Sequence, residues 1–241
     1  NLAVTAAGDI IAWGENWGGQ CDVPQPQYVP SYGFVAADGG AGYSMGLTQY
    51  SEMISWGGTP SGMPAYMGNC MDIAAGEYFA LVLTTGGWVV GWGANHVGQL
   101  DVPAPNSNFI AIAAATWHAL GLKDDSTVVA WGTNYGDIPE PNAGFVAIDA
   151  REHYSMALRA DGSVAVWGSS DYGRLDVPEP NTDFVAIAAG TDHCAGLKSD
   201  GSVVVWGDTS WYQDRVPTPN WGYTDIAAGR YYTCLLYTSD A

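Results

Sequence analysis

The chain has 241 residues and a formal net charge of −18, from 25 acidic and 7 basic side chains. That charge repels phosphate backbones and argues against nucleic acid as a partner, and no apolar run reaches the roughly 20 residues of a membrane span. With 32 Gly, 13 Pro and only 13% charged residues, the composition suits many tight turns joining strands buried on both faces.

Taken from the amino terminus, Asn1–Thr5 matches Cys194–Lys198 and reads as the second strand of a partial unit, 1–33, whose third strand ends at Trp13-Gly14 and whose loop closes with Val23-Pro24-Gln25-Pro26. Unit 34–69 opens on Ala36-Ala37-Asp38-Gly39-Gly40. Ser51–Ser55 and Thr59–Pro64 then replace the usual turn, strand and outer segment, so it is expected to be the least regular. Units 70–108, 109–144, 145–183 and 184–222 repeat one pattern, and 223–241 begins another copy. In 184–222, Phe184–Ala189 is a first strand, Cys194–Lys198 a second after the turn at Gly190-Thr191-Asp192, and Val203–Trp206 a β-branched third after Ser199-Asp200-Gly201. Val216-Pro217-Thr218-Pro219 can be only a short, outer fourth strand, because two prolines remove ladder donors.

Trp-Gly recurs at Trp13, Trp56, Trp92, Trp131, Trp167 and Trp206, spaced by 36 to 43 residues, with no helical period between. A fixed self-similarity of this length means repeated units that bury their faces on one another. The expected fold is an all-β β-propeller of four-stranded antiparallel blades, about six blades' worth, in one domain over 1–241. Thr233 also matches Asn1, so the two ends supply the same strand twice, and the chain is expected to be a fragment of a longer ring. Tyr237–Ala241 departs from the Lys-x-Asp-Gly-Ser expected there and reads as non-native.

The combination (F/Y)-x-A-I-A-A-G-x-x-H, L-K-x-D-G-S-V-V-x-W-G and G-Q-L-D-V-P resembles the bacterial form of the regulator of chromosome condensation repeats. The short units are most similar to the β-lactamase inhibitory protein II type. The resemblance spans essentially the whole chain and implies a seven-bladed ring, of which this chain is a fragment, that binds a protein, with a class A β-lactamase as the sharpest candidate and an extracellular or cell-surface location. A closed ring would be a monomer. The guanine-nucleotide exchange of longer members relies on insertions that this chain lacks.

No Gly-x-Ser-x-Gly elbow, Walker loop or HExxH occurs, and the four histidines fall in four different units. The reading is therefore non-enzymatic, with no cofactor and no metal. Cys21, Cys70, Cys194 and Cys234 occupy four different register positions and form no CxxC, so their redox state stays open. Asp22, Asp101 and Asp176 share one register position, with Asp137 and Asp214 near it, and read as a solvated rim that blocks edge pairing.

In an up-and-down unit the first-to-second and third-to-fourth connections leave on the same side. There the copies differ, presenting Trp17, Tyr78, His96, Trp117, Tyr135, His153, Tyr172, Asp192, Trp211, Tyr212 and Tyr231 as rigid aromatic anchors and adaptable polar groups. These are the candidate partner-binding residues. The other side carries Asp-Gly turns and Pro-Asn segments, which are scaffold chemistry. Tyr43, Phe79, His118, Tyr154, His193 and Tyr232 form a ring at one position in every copy and read as packing between units. The alternative function is a structural or adhesive repeat segment of a larger protein, with loop aromatics that have no single partner.

Overall fold

The computed structural model describes residues 1–24, 33–133 and 135–237. Gln25-Pro26 of the first Val-Pro segment, loop residue Asn134 and the tail 238–241 lie outside the described residues. The strands are β1 (Leu2–Val4), β2 (Ile10–Ala12), β3 (Phe34–Gly39), β4 (Tyr43–Thr48), β5 (Glu52–Gly57), β6 (Tyr66–Gly68), β7 (Cys70–Ala75), β8 (Phe79–Thr84), β9 (Val89–Gly93) and β10 (Phe109–Ala114). They continue as β11 (His118–Lys123), β12 (Val128–Gly132), β13 (Phe145–Arg151), β14 (Tyr154–Arg159), β15 (Val164–Gly168), β16 (Phe184–Ala189), β17 (His193–Lys198), β18 (Val203–Gly207), β19 (Tyr223–Ala228) and β20 (Thr233–Tyr237). Consecutive strands pair into separate sheets: β1-β2, β3 to β6, β7 to β9, β10 to β12, β13 to β15, β16 to β18, and β19-β20.

Contacts divide the chain into two compact units, residues 1–121 with 131–133 and residues 122–130 with 134–241. In the first, Tyr43, Met45, Met53, Cys70, Ala80 and Val82 form a core between the sheets of β3 to β6 and β7 to β9. In the second, Tyr154, Met156, Leu158, Phe184, Cys194 and Trp206 do the same for β13 to β15 and β16 to β18.

The first strands β3, β7, β13, β16 and β19 carry a bulge near their start, between Phe34 and Ala36, Cys70 and Asp72, Phe145 and Ala147, Phe184 and Ala186, and Tyr223 and Asp225. The extra residue breaks the inward–outward alternation. As a result Val35, Met71, Val146 and Val185 are exposed although they lie in apolar strands.

The outer fourth strand differs from the sequence expectation. Among the described residues only β6 pairs as one, on β5, with Glu52 opposite Gly68. The unit expected to be least regular is thus the one with four paired strands, because Tyr66-Met67-Gly68 keeps the amide donors that Val-Pro-x-Pro loses. In four other units a side chain replaces the strand. Asn106, Asn142, Asn181 and Asn220 each accept from the amide of Val89, Val128, Val164 or Val203 and donate back to the same residue's carbonyl, at 2.8 to 2.9 Å. One carboxamide reproduces the hydrogen-bond pair of a strand neighbour.

The tryptophans join one sheet to the next. The indole N–H of Trp56, Trp131 and Trp206 donates to the carbonyl of Gln20, Gln99 and Arg174 respectively, at 2.8 to 3.0 Å. The rings lie tilted on Phe34, Phe109 and Phe184, with centroids 6.1 to 6.4 Å apart. Trp56, Trp131, Trp167 and Trp206 are buried, but Trp13 is 46% exposed. Its sheet has only β2 and β1, and no first-strand phenylalanine lies beneath it.

Candidate functional site

At the ring position Tyr43, Phe79, His118, Tyr154 and His193 are buried in the scaffold, whereas Tyr232 is 40% exposed. The Tyr43 hydroxyl lies 3.0 Å from the Gly76 carbonyl and 2.5 Å from that of Phe79. Tyr154 reaches Gly190 and His193 in the same way, at 2.8 Å. Both tyrosines are buried and their phenols are pushed up by desolvation. His193 is fully buried, with Nε2 3.1 Å from Thr233 Oγ1. Burial holds its basicity down, against a smaller pull from Asp208. Gly190 lies against this ring: a Cβ there would sit 2.4 Å from His193 Cε1, so in this copy a side chain at that position would have to displace the imidazole.

Above that scaffold, the loop after a third strand meets the first turn of the following sheet. In the first unit, Trp17 covers Gly42, whose Cβ would fall 2.7 Å from the Trp17 ring. Tyr78 stands exposed beside Glu77, whose carboxylate accepts its hydroxyl and holds the phenol up. His96 is exposed, on a loop tied by Asn95 to Asp101 and to the Leu100 amide. Trp117 is half-buried and sits in the β10–β11 turn, its carbonyl accepting the Thr133 amide.

In the second unit the same meeting occurs three times. Tyr135 packs on His153 with centroids 4.9 Å apart, and Trp211 on Tyr231 at 5.4 Å. Between them in sequence, Arg174 links Tyr172 and Asp192. The Arg174 guanidinium is 2% exposed. It donates to the carbonyls of Thr191 at 2.7 Å and Asp171 at 3.0 Å, pairs with Asp171 and Asp192 at 3.8 and 3.7 Å, and lies over the rings of Tyr154 and Tyr172. Tyr172, Trp211 and Tyr212 are 60 to 63% exposed and Tyr231 43%.

Thus all eleven predicted residues fall in the connecting loops. Trp117, Tyr135, His153 and Asp192 are partly buried, and the other seven are exposed. Arg174 was missed. It fills the position of Gln20, Gln99 and Gln213, whose side chains only close their own loops onto the amides of Gly18, Val97 and Trp211. The substitution at that repeated position was the available signal.

The acidic rim is exposed at Asp22, Asp101, Asp137, Asp176 and Asp214, and two of its members are also hydrogen-bonded: Asn16 donates to Asp22 and Asn95 to Asp101. The turns at the opposite ends of the strands also expose rings, Tyr50 at 56% and Trp88 at 59%. Their units lack the Asp-Gly turn that polar side chains close elsewhere, as where Asp161 and Asp200 accept from Ser163 and Ser202. All four cysteines are free thiols. Burial pushes the Cys194 thiol up to about 12. Among the described residues no group of three or more His, Cys, Asp or Glu is placed to hold a metal ion, and no helix is long and apolar enough to cross a membrane.

Strands joined consecutively into short antiparallel up-and-down sheets define an all-β propeller repeat protein. The structure aligns with that of Prp20p from Saccharomyces cerevisiae, described with its binding to Gsp1p and histones, at a TM-score of 0.80 and 18% identity over 99% of this chain and 81% of that one. It also aligns with the receptor kinase CR4 ectodomain from Physcomitrella patens (TM-score 0.72, 24% identity, 84% and 60%) and with human WBSCR16 (0.65, 18%, 86% and 73%). Residues 72–99 and 184–210 match the model of the regulator of chromosome condensation (RCC1) repeat. The chain carries RCC1 repeats in an all-β propeller fold. Comparison with curated proteins gave no match.

Proposed function

We propose that this chain is a protein-binding module that holds its partner on the loops following the third strands and on the adjoining first turns. The observation that carries this is the contrast between invariant scaffold and varied loops. Tryptophan, ring and asparagine clamps recur from unit to unit, whereas Trp17, Tyr78, His96, Tyr172, Trp211 and Tyr212 are exposed, differ between copies and contribute little to the core. RCC1-type propellers are in general binding and regulatory folds, and Prp20p, whose structure is similar, is described as binding proteins.

The sharp form of the reading is a class A β-lactamase as partner, with the loop rings capping the rim of its active site, in an extracellular or cell-surface setting. It draws on the short units closed by G-Q-L-D-V-P rather than on any feature of the fold. The test is inhibition of a purified class A β-lactamase by the wild-type chain and by Trp211→Ala and Tyr172→Ala. The reading expects inhibition by the wild type and about tenfold weaker inhibition by each variant, the range of a buried aromatic anchor. Unimpaired hydrolysis at micromolar wild-type chain removes the β-lactamase assignment.

A further inference from the structure

One corner of the second unit departs from the repeat at three register positions. Tyr212 occupies the place of Gly19, Gly98 and Gly173, which have φ of +80°, +85° and +71°, and it takes the same left-handed conformation at φ 66°. Glycine enters that region without steric penalty and tyrosine does not, so the fold alone would favour glycine. Arg215 stands where Asp22, Asp101 and Asp176 stand in other copies, and Arg230 where Glu77 and Glu152 stand. The first change reverses charge, and the second places a cation at a position that the remaining copies fill with Ala41, Thr116 and Thr191, in a chain with 25 acidic and 7 basic residues.

The two loops that carry these departures are joined by one stacked pair of rings. Trp211 stacks on Tyr231, Arg215 lies 3.8 Å over the Tyr212 ring, and Arg230 lies 5.1 Å over the Tyr231 ring. Three of the other five basic side chains serve the scaffold: Arg174 is buried, and Arg159 and Lys198 hold the carbonyls of Pro141 and Pro180. Arg215 and Arg230 are exposed. A guanidinium resting on a ring keeps N–H donors for a carboxylate, and the ring offers apolar contact beside it.

We propose that this corner is a subsite for an acidic side chain, aspartate or glutamate, set beside an apolar or aromatic residue on the protein partner. It rests on the reading of the loops as a partner surface, and it narrows the partner's chemistry: an overall negative molecule recognises a negative group at this one place.

The test titrates the full chain with a capped peptide of alternating glutamate and phenylalanine, and separately with its lysine counterpart, following the Trp211 indole N–H resonance assigned by its loss in Trp211→Phe. The wild type shows a saturable shift with the glutamate peptide that is about tenfold weaker in the Arg215→Asp, Arg230→Glu double variant. That variant restores residues the other copies carry, so it retains the fold. Tyr212→Gly binds the peptide more weakly with a Tm equal to or above that of the wild type. Absence of a saturable shift, equal or stronger binding of the lysine peptide, an unaffected double variant, or a lower Tm for Tyr212→Gly overturns the proposal. A corner that fails while Tyr172→Ala still weakens β-lactamase inhibition leaves the interaction surface standing, and peptide binding without any inhibition leaves the corner standing.

Discussion

Asp72 is the residue at which the fold and a charge conflict most openly. Its two oxygens accept the amides of Ile73 and Ile112, at 2.9 and 3.1 Å, so a carboxylate ties one sheet to the next. Desolvation nevertheless outweighs those bonds and pushes its pKa up to about 6 from 3.8. A carboxyl raised in the folded state contributes stability that is fully present below about pH 4 and is lost as pH rises through about 6. Relative to Asp72→Asn, the wild type should therefore lose about 3 kcal/mol between pH 4 and pH 8, two pKa units at about 1.4 kcal/mol each. Denaturant unfolding of both proteins at the two pH values measures it, and a difference that stays constant with pH contradicts the assignment. Arg174 is the complementary case, a buried cation whose bonds to two backbone carbonyls and flanking rings offset its desolvation.

The asparagine clamp belongs to the element scale. In Asn142→Ala, the amide and carbonyl of Val128 lose both partners at a residue that is 2% exposed. The expected loss is about 2–3 kcal/mol, two neutral hydrogen bonds left unmade, or roughly 4–10 °C in Tm for a chain of this size. Asn142→Asp should not recover the loss, because its second oxygen would face the Val128 carbonyl, acceptor against acceptor. A Tm within about 1 °C of wild type would show that water replaces the clamp. The strands, turns and Trp-Gly positions of these elements were legible in the sequence, because strand period, turn residues and repeat spacing are local signals. The clamp was not: Pro-Asn reads as a turn, and nothing local says that its carboxamide returns to a valine 14 or 17 residues away. The same limit hid β6, whose pairing depends on amide donors surviving outside the regular motif. The candidate loops were legible as positions where copies differ, but their pairing of Tyr135 with His153 and Trp211 with Tyr231 joins residues 18 and 20 apart across two sheets, which spacing alone does not specify.

At the scale of the whole molecule, the repeat separates two tasks. Recurrent residues build each sheet and fasten it to its neighbour, so the loop tips are released from structural duty and can vary. The net charge of −18 adds a long-range field that attracts basic surfaces and weakens with salt. The decisive measurement is therefore a paired one on a variant with Trp17, Tyr78, Tyr172, Trp211 and Tyr212 all changed to Ala: its Tm, and its inhibition of a purified class A β-lactamase beside that of the wild type. The account predicts a Tm within a few degrees of wild type and inhibition reduced by about a hundredfold or more, as expected when several exposed anchors are removed together. A large fall in Tm, or inhibition equal to that of the wild type, would contradict it.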